Sequence, residues 1–148
     1  MATFYGTTFT GSPLDAAAVP PYSIPSSALV TGKQRCTTEI FTMAAQASGS
    51  ILVLGKLPAG AVFKGVRITA SASAGATATI AIGIAGSTAK YKAAAVFTAV
   101  DTPTLYGKAS AMAQGPLAAE ETVIATIAAD ALAAAGTLVF ELFFTAPA

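Results

Sequence analysis

The sequence contains no histidine, no tryptophan, no asparagine and a single cysteine, Cys36. Without histidine, the side chain best suited to proton transfer near neutrality is missing, and with it any Ser-His-Asp or Cys-His nucleophilic system. A zinc site draws on several nitrogen and sulfur ligands, whereas one thiol and scattered carboxylates are present. A lone cysteine forms no intrachain disulfide, and its setting, Arg35-Cys36-Thr37-Thr38-Glu39, reads as a small buried hydrophobe on a strand. The absence of asparagine removes N-glycosylation. Charge is scarce as well: charged residues make up 10% of the 148 residues, and the formal net charge is +1. That leaves no electrostatic case for nucleic acid.

The remaining candidate motifs fail on inspection. Gly83-Ile84-Ala85-Gly86 is like the end of a dinucleotide fingerprint, but position 81 is alanine and no strand–helix–strand unit surrounds it. Thr31-Gly32-Lys33-Gln34 lacks the upstream glycine and the Ser or Thr of a phosphate loop. Glu120 and Glu121 are adjacent, so strand geometry sends them to opposite faces of a solvated strand entrance rather than into one acid–base pair. Lys90 and Lys92 bracket Tyr91, in what reads as a solvated loop or a salt contact to an acidic partner. The expectation is a protein without catalytic residues, cofactor or metal.

What is abundant is apolar. Hydrophobic residues reach 54% and mean hydropathy is +0.67, against an ordinary charged fraction of ~25%. A weakly charged, apolar-leaning surface dissolves poorly by itself and suits a protein largely covered by partners. Membrane insertion explains it less well. The uncharged run from 68 to 89 is long enough to span a bilayer, yet it holds seven Ser and Thr and three Gly, and it alternates. The N-terminus lacks the basic and continuous apolar regions of a signal peptide.

The first 33 residues stand apart. They hold Phe4, Tyr5, Phe9 and Tyr22, a third of the 12 aromatics, and Pro13, Pro20, Pro21 and Pro25, half of the 8 prolines. Their only charges are Asp15 and Lys33. Such a stretch is too proline-broken for a long helix and too aromatic for a solvated tail. It reads as an extended arm, residues 1–33, that buries its aromatics on another chain. Residues 34–148 form the domain.

From there on Thr, Val, Ile and Phe recur at period two, with turn residues every eight to twelve positions, which suggests an all-β sandwich or barrel. Strands are predicted over 34–45, 51–56, 61–73, 77–85, 104–112, 121–128 and 137–145. The arm or the segment around Tyr91 supplies an eighth. Residues 91–100 also read as one or two helical turns, and 128–135 as a loop, with at most one helical turn. In 77–85, Ala78, Ile80, Ile82 and Ile84 share the apolar face. In the last strand Leu138, Phe140, Leu142 and Phe144 point inward, while Val139, Glu141 and Phe143 point out. Phe143 joins Phe4, Tyr5, Phe9 and Tyr22 as a candidate partner contact, since aromatics are the usual anchors of interfaces.

Lys56-Leu57-Pro58-Ala59-Gly60-Ala61-Val62 and the later Thr79-Ile80-Ala81-Ile82-Gly83 resemble segments of small structural proteins of tailed bacteriophages, as does the opening Met1-Ala2-Thr3-Phe4-Tyr5-Gly6. The resemblance covers roughly residues 51–91 and the N-terminus, and is strongest to capsid cement, or decoration, proteins. It implies a jelly-roll-like antiparallel β-sandwich of about seven to eight strands, where strand spacing alone also fits an immunoglobulin-like sandwich. It further implies a virion location on the outer capsid surface, binding to major capsid protein, and self-association as a homodimer or homotrimer, with no membrane or direct nucleic-acid contact. Two alternatives remain: another virion subunit, such as a head fibre base, neck or tail part, and a carbohydrate-binding β-sandwich.

Overall fold

The computed structural model describes residues 33–146. Eight strands run in chain order: β1 (Lys33–Thr42), β2 (Ile51–Leu57), β3 (Val62–Ala70), β4 (Thr79–Ile84), β5 (Ser87–Val96), β6 (Thr104–Tyr106), β7 (Glu121–Ala128) and β8 (Thr137–Ala146). One short helix, α1 (Ala109–Met112), lies between β6 and β7. The strands form two four-stranded sheets, ordered β1-β8-β3-β6 and β2-β7-β4-β5, and every pairing is antiparallel. Only the β4–β5 hairpin stays within one sheet; every other connection crosses to the opposite one. Two facing four-stranded sheets wound in this order are a jelly roll.

Alternation builds the core. Leu138, Phe140 and Leu142 of β8 are buried, as are Val123, Ala125 and Ile127 of β7. Phe140 receives the ring of Phe41 edge-on at 5.9 Å. The Leu57-Pro58-Ala59-Gly60 stretch is a tight turn: the Ala61 N–H donates to the Pro58 carbonyl at 3.1 Å, and Gly60 takes φ +80°, which a side chain rarely adopts. Leu117 clamps it, its carbonyl accepting from Gly60 and its N–H donating to Ala61.

Several expectations change. Residues 91–100 are not helical: β5 runs as strand through Val96 and supplies the eighth strand. Its alanines carry no period, and pairing with β4 settles its conformation. The predicted strand 104–112 ends at Tyr106 and gives way to α1. Ala128 closes β7, and residues 129–135 are loop with no helical turn. The strand predicted over 77–85 reads as half-buried, with Thr77, Thr79, Ala81 and Gly83 on its polar face, yet in β4 Ala81 and Gly83 are buried along with Ile80 and Ile82. Cys36 is exposed rather than buried. Strand alternation places it opposite Phe143 on the outward face of β1, an edge strand among the described residues.

Candidate partner-binding surface

The outer face of the first sheet collects side chains from distant parts of the sequence. Register places Arg67 of β3 opposite Glu141 of β8, and Leu105 of β6 opposite Arg67. The Arg67 guanidinium grips Glu141 through two hydrogen bonds, the Nη2–Oε1 contact measuring 2.7 Å, and its carbon sits 5.4 Å from the centroid of the Phe143 ring. The Arg67 hydrogen bonds hold the Glu141 carboxyl below the usual carboxylate range. With Gln34 and Lys64, the side chains of Arg67, Leu105 and Phe143 line a shallow open cavity of about 220 Å³. Its floor is apolar and its rim cationic. A hollow of this size and lining is large enough to take one apolar or aromatic side chain. Nearby, Leu105 is 63% exposed and Ile40 66%.

Phe143 is thus half-buried beneath Arg67, as an outward residue of β8. The other aromatic candidates, Phe4, Tyr5, Phe9 and Tyr22, lie outside the described residues. Sequence reading placed Glu141 outward beside Phe143 but missed Arg67 and its pairing with Glu141, which stands 74 positions away; only the β3–β8 register reveals it.

A second polar group lies within the other sheet. Tyr91 is fully buried, its ring 4.3 Å from that of Phe63, and its hydroxyl donates to Glu121. Lys90 donates to the other oxygen of the same carboxylate. Burial, then the Glu121 hydrogen bond, push the Tyr91 hydroxyl far above its ordinary pKa. Burial alone would raise the Glu121 carboxyl, but hydrogen bonds from Lys90 and Tyr91 and the Lys90 charge hold it below its ordinary value. Glu120 points away and pairs at the surface with Lys56, at 2.7 Å. The two glutamates therefore diverge as strand geometry requires, yet Glu121 is a half-buried structural anchor and not merely a solvated end. Lys90 and Lys92 correspondingly sit on a strand, not in a loop.

Lys92 is 4% exposed. Its ammonium donates to the carbonyls of Ile80 (2.6 Å) and Ala93 (3.2 Å) and lies 4.7 Å from the Tyr106 ring centroid. Burial pulls its pKa from 10.5 down to about 8. Between those values the folded chain is neutral at Lys92 while the unfolded chain still binds the proton, so stability rises with pH across this window. Below pH 8 the buried cation costs on the order of 3 kcal/mol. Chemical denaturation from pH 7 to 9.5 is expected to show this rise in the wild type and to lose it in Lys92→Met, which should be the more stable of the two at pH 7.

Among the described residues no cluster of His, Cys, Asp and Glu could hold a metal ion, and no helix is long and apolar enough to cross a membrane. Comparison with protein-family profiles and with curated proteins finds no match. Solved structures do match. A chain from the capsid of Ralstonia phage GP4 aligns with TM-score 0.64 at 22% identity, covering 85% of this chain and 90% of that one. A chain of the cyanophage Pam1 capsid asymmetric unit aligns with TM-score 0.63 at 18% identity, over 78% and 86%. One from the acid-stable capsid of Helicobacter pylori bacteriophage KHP30 aligns with TM-score 0.58 at 15% identity, over 78% and 89%. At these identities the likeness is one of fold.

Proposed function

We propose that this chain is a non-enzymatic virion structural protein, a cement protein that binds the outside of a bacteriophage capsid and stabilises contacts between major capsid protein subunits. The observation that carries the reading is the near-full-length match of its jelly roll to chains from three phage capsids. The poverty of charge and the absence of histidine agree with it. Residues 1–33 act as the tether, with Phe4, Tyr5, Phe9 and Tyr22 as anchors, and residues 34–148 as the body. An extended arm suits this task because it can add a strand to a neighbour's sheet edge and satisfy its own backbone donors and acceptors there. Phe143, with the cationic rim above it, is a contact of the body.

Deleting residues 1–25 is expected to reduce occupancy on purified capsids by tenfold or more, as loss of several aromatic anchors should, while the body keeps its β circular dichroism. Undiminished binding of the truncated protein overturns the tether. Copy number tests the location: hundreds per particle fit a shell, and six or twelve place the protein in a tail or neck.

A further inference from the structure

Each sheet has two edges, and the four edge strands differ. β6 is three residues long. The β2 ladder is broken by a register shift between Val53 and Gly55, and that of β5 shifts twice. Bulges and shortness are what keep an edge from pairing with another chain. β1 has neither a bulge nor shortness: it pairs with β8 through ten residues in unbroken register, and among the described residues no strand lies beyond it in the sheet. Its inward charges, Arg35 and Glu39, guard it against a neutral strand, so the strand that can pair with it is one that carries complementary charges.

The charges on β1 are self-complementary. Arg35 and Glu39 lie two residues either side of Thr37, on the same face as Phe41 and opposite the inward residues Phe144 and Phe140 of β8. The ion pairs of the described residues are Lys56–Glu120, Arg67–Glu141 and Lys90–Glu121, and neither Arg35 nor Glu39 belongs to them. Only in an antiparallel pairing centred on Thr37 does Arg35 of each strand fall opposite Glu39 of the other, because opposed positions then sum to 74. We infer that this chain forms a two-fold dimer by pairing β1 with β1 of a second copy about Thr37, which joins the two β1-β8-β3-β6 sheets into one eight-stranded sheet. An isologous contact of this kind closes on itself and stops at two subunits. It goes beyond the capsid reading and is tested on the free protein, so either can fail without the other.

Sedimentation of the full-length chain over a wide concentration range is expected to show a monomer–dimer equilibrium. Glu39→Arg puts like charges opposite each other twice and should weaken the dimer by about tenfold or more, since directly opposed charges act in a sheet as neighbours. The double variant Arg35→Glu/Glu39→Arg restores opposite signs and should return the affinity to within about threefold of wild type. Circular dichroism of Glu39→Arg checks separately that the single variant keeps its β structure. The register has its own readout. About Thr37 the two Cys36 residues lie on a diagonal of ~7–8 Å, beyond ordinary disulfide reach, so a short bismaleimide should link them and air oxidation should not. A monomer at all concentrations, as when residues 1–32 cover this edge, overturns the inference. So does a trimer, indifference to Glu39→Arg, or failure of the double variant to rescue. A spontaneous Cys36–Cys36 disulfide overturns the register by centring the pairing on Cys36.

Discussion

Gly83→Ala is expected to be among the most destabilising single changes in this fold, at ~3 kcal/mol or more. A Cβ at position 83 would sit 2.1 Å from the Ser87 carbonyl oxygen, 2.6 Å from the Thr88 carbonyl carbon and 2.8 Å from the Lys90 nitrogen. All three are backbone atoms, so no side chain can turn aside. The start of β5 would have to lift off β4, and with it the strand that carries Lys90, Tyr91 and Lys92. Overpacking that forces backbone shifts costs 1–3 kcal/mol in cores, and here the cost should be ~3 kcal/mol or more, out of a total of roughly 5–15 kcal/mol for a domain. Gly86→Ala is the control. Gly86 sits in the same hairpin with φ +83°, and a Cβ there would meet nothing within 4 Å. It should lose only about 1 kcal/mol, the cost of a left-handed backbone. Urea denaturation of both variants checks the difference. A Gly83→Ala protein within 1 kcal/mol of wild type would show that β5 is free to move.

Gly83 also marks how far the sequence can be read. The pattern Thr79-Ile80-Ala81-Ile82-Gly83 announces a strand, and alternation assigns Ala78, Ile80 and Ile82 to the core, where they lie. The reason for the glycine is not legible, because it depends on where β5 passes. β7 is placed to the residue, since Val123, Ala125 and Ile127 alternate with Thr122, Ile124 and Thr126, although Ile124 on the other face is buried as well. β5 is ambiguous because Ala93, Ala94 and Ala95 suit either period. Cys36 reads as buried because its local sequence reveals the strand but neither its phase nor its place at an edge. Strand order lies beyond spacing altogether: the choice of jelly roll over immunoglobulin-like sandwich comes from the resemblance, and the observed order agrees with it. The polar pairs are invisible for the same reason. Glu121 lies 31 and 30 positions from Lys90 and Tyr91, and no local motif joins them.

That last pair of contacts sets the second large effect. Glu121→Ala is expected to destabilise the protein by about 2–3 kcal/mol at pH 7, somewhat below the 3–5 kcal/mol typical of a fully buried pair, because the Lys90 and Glu121 side chains are each 19% exposed. The loss leaves two donors without an acceptor, one of them the hydroxyl of the fully buried Tyr91. Tyr91→Phe removes a donor and leaves the Lys90 contact to the carboxylate intact, so its cost should stay near ~1 kcal/mol. The double variant should cost less than the sum of the singles, since the residues share one network. The pH dependence has a definite sign. The Glu121 carboxyl is held below its ordinary value in the folded chain, so its stabilisation is present above the unfolded carboxylate pKa and is lost as pH falls through the lower folded value. The gap between wild type and Glu121→Ala should therefore hold from pH 7 to about 5 and narrow toward pH 3. A gap that widens on acidification would mean the carboxylate is not what Tyr91 and Lys90 rely on. Because this network ties β5 to β7 inside the second sheet, it steadies that sheet from within.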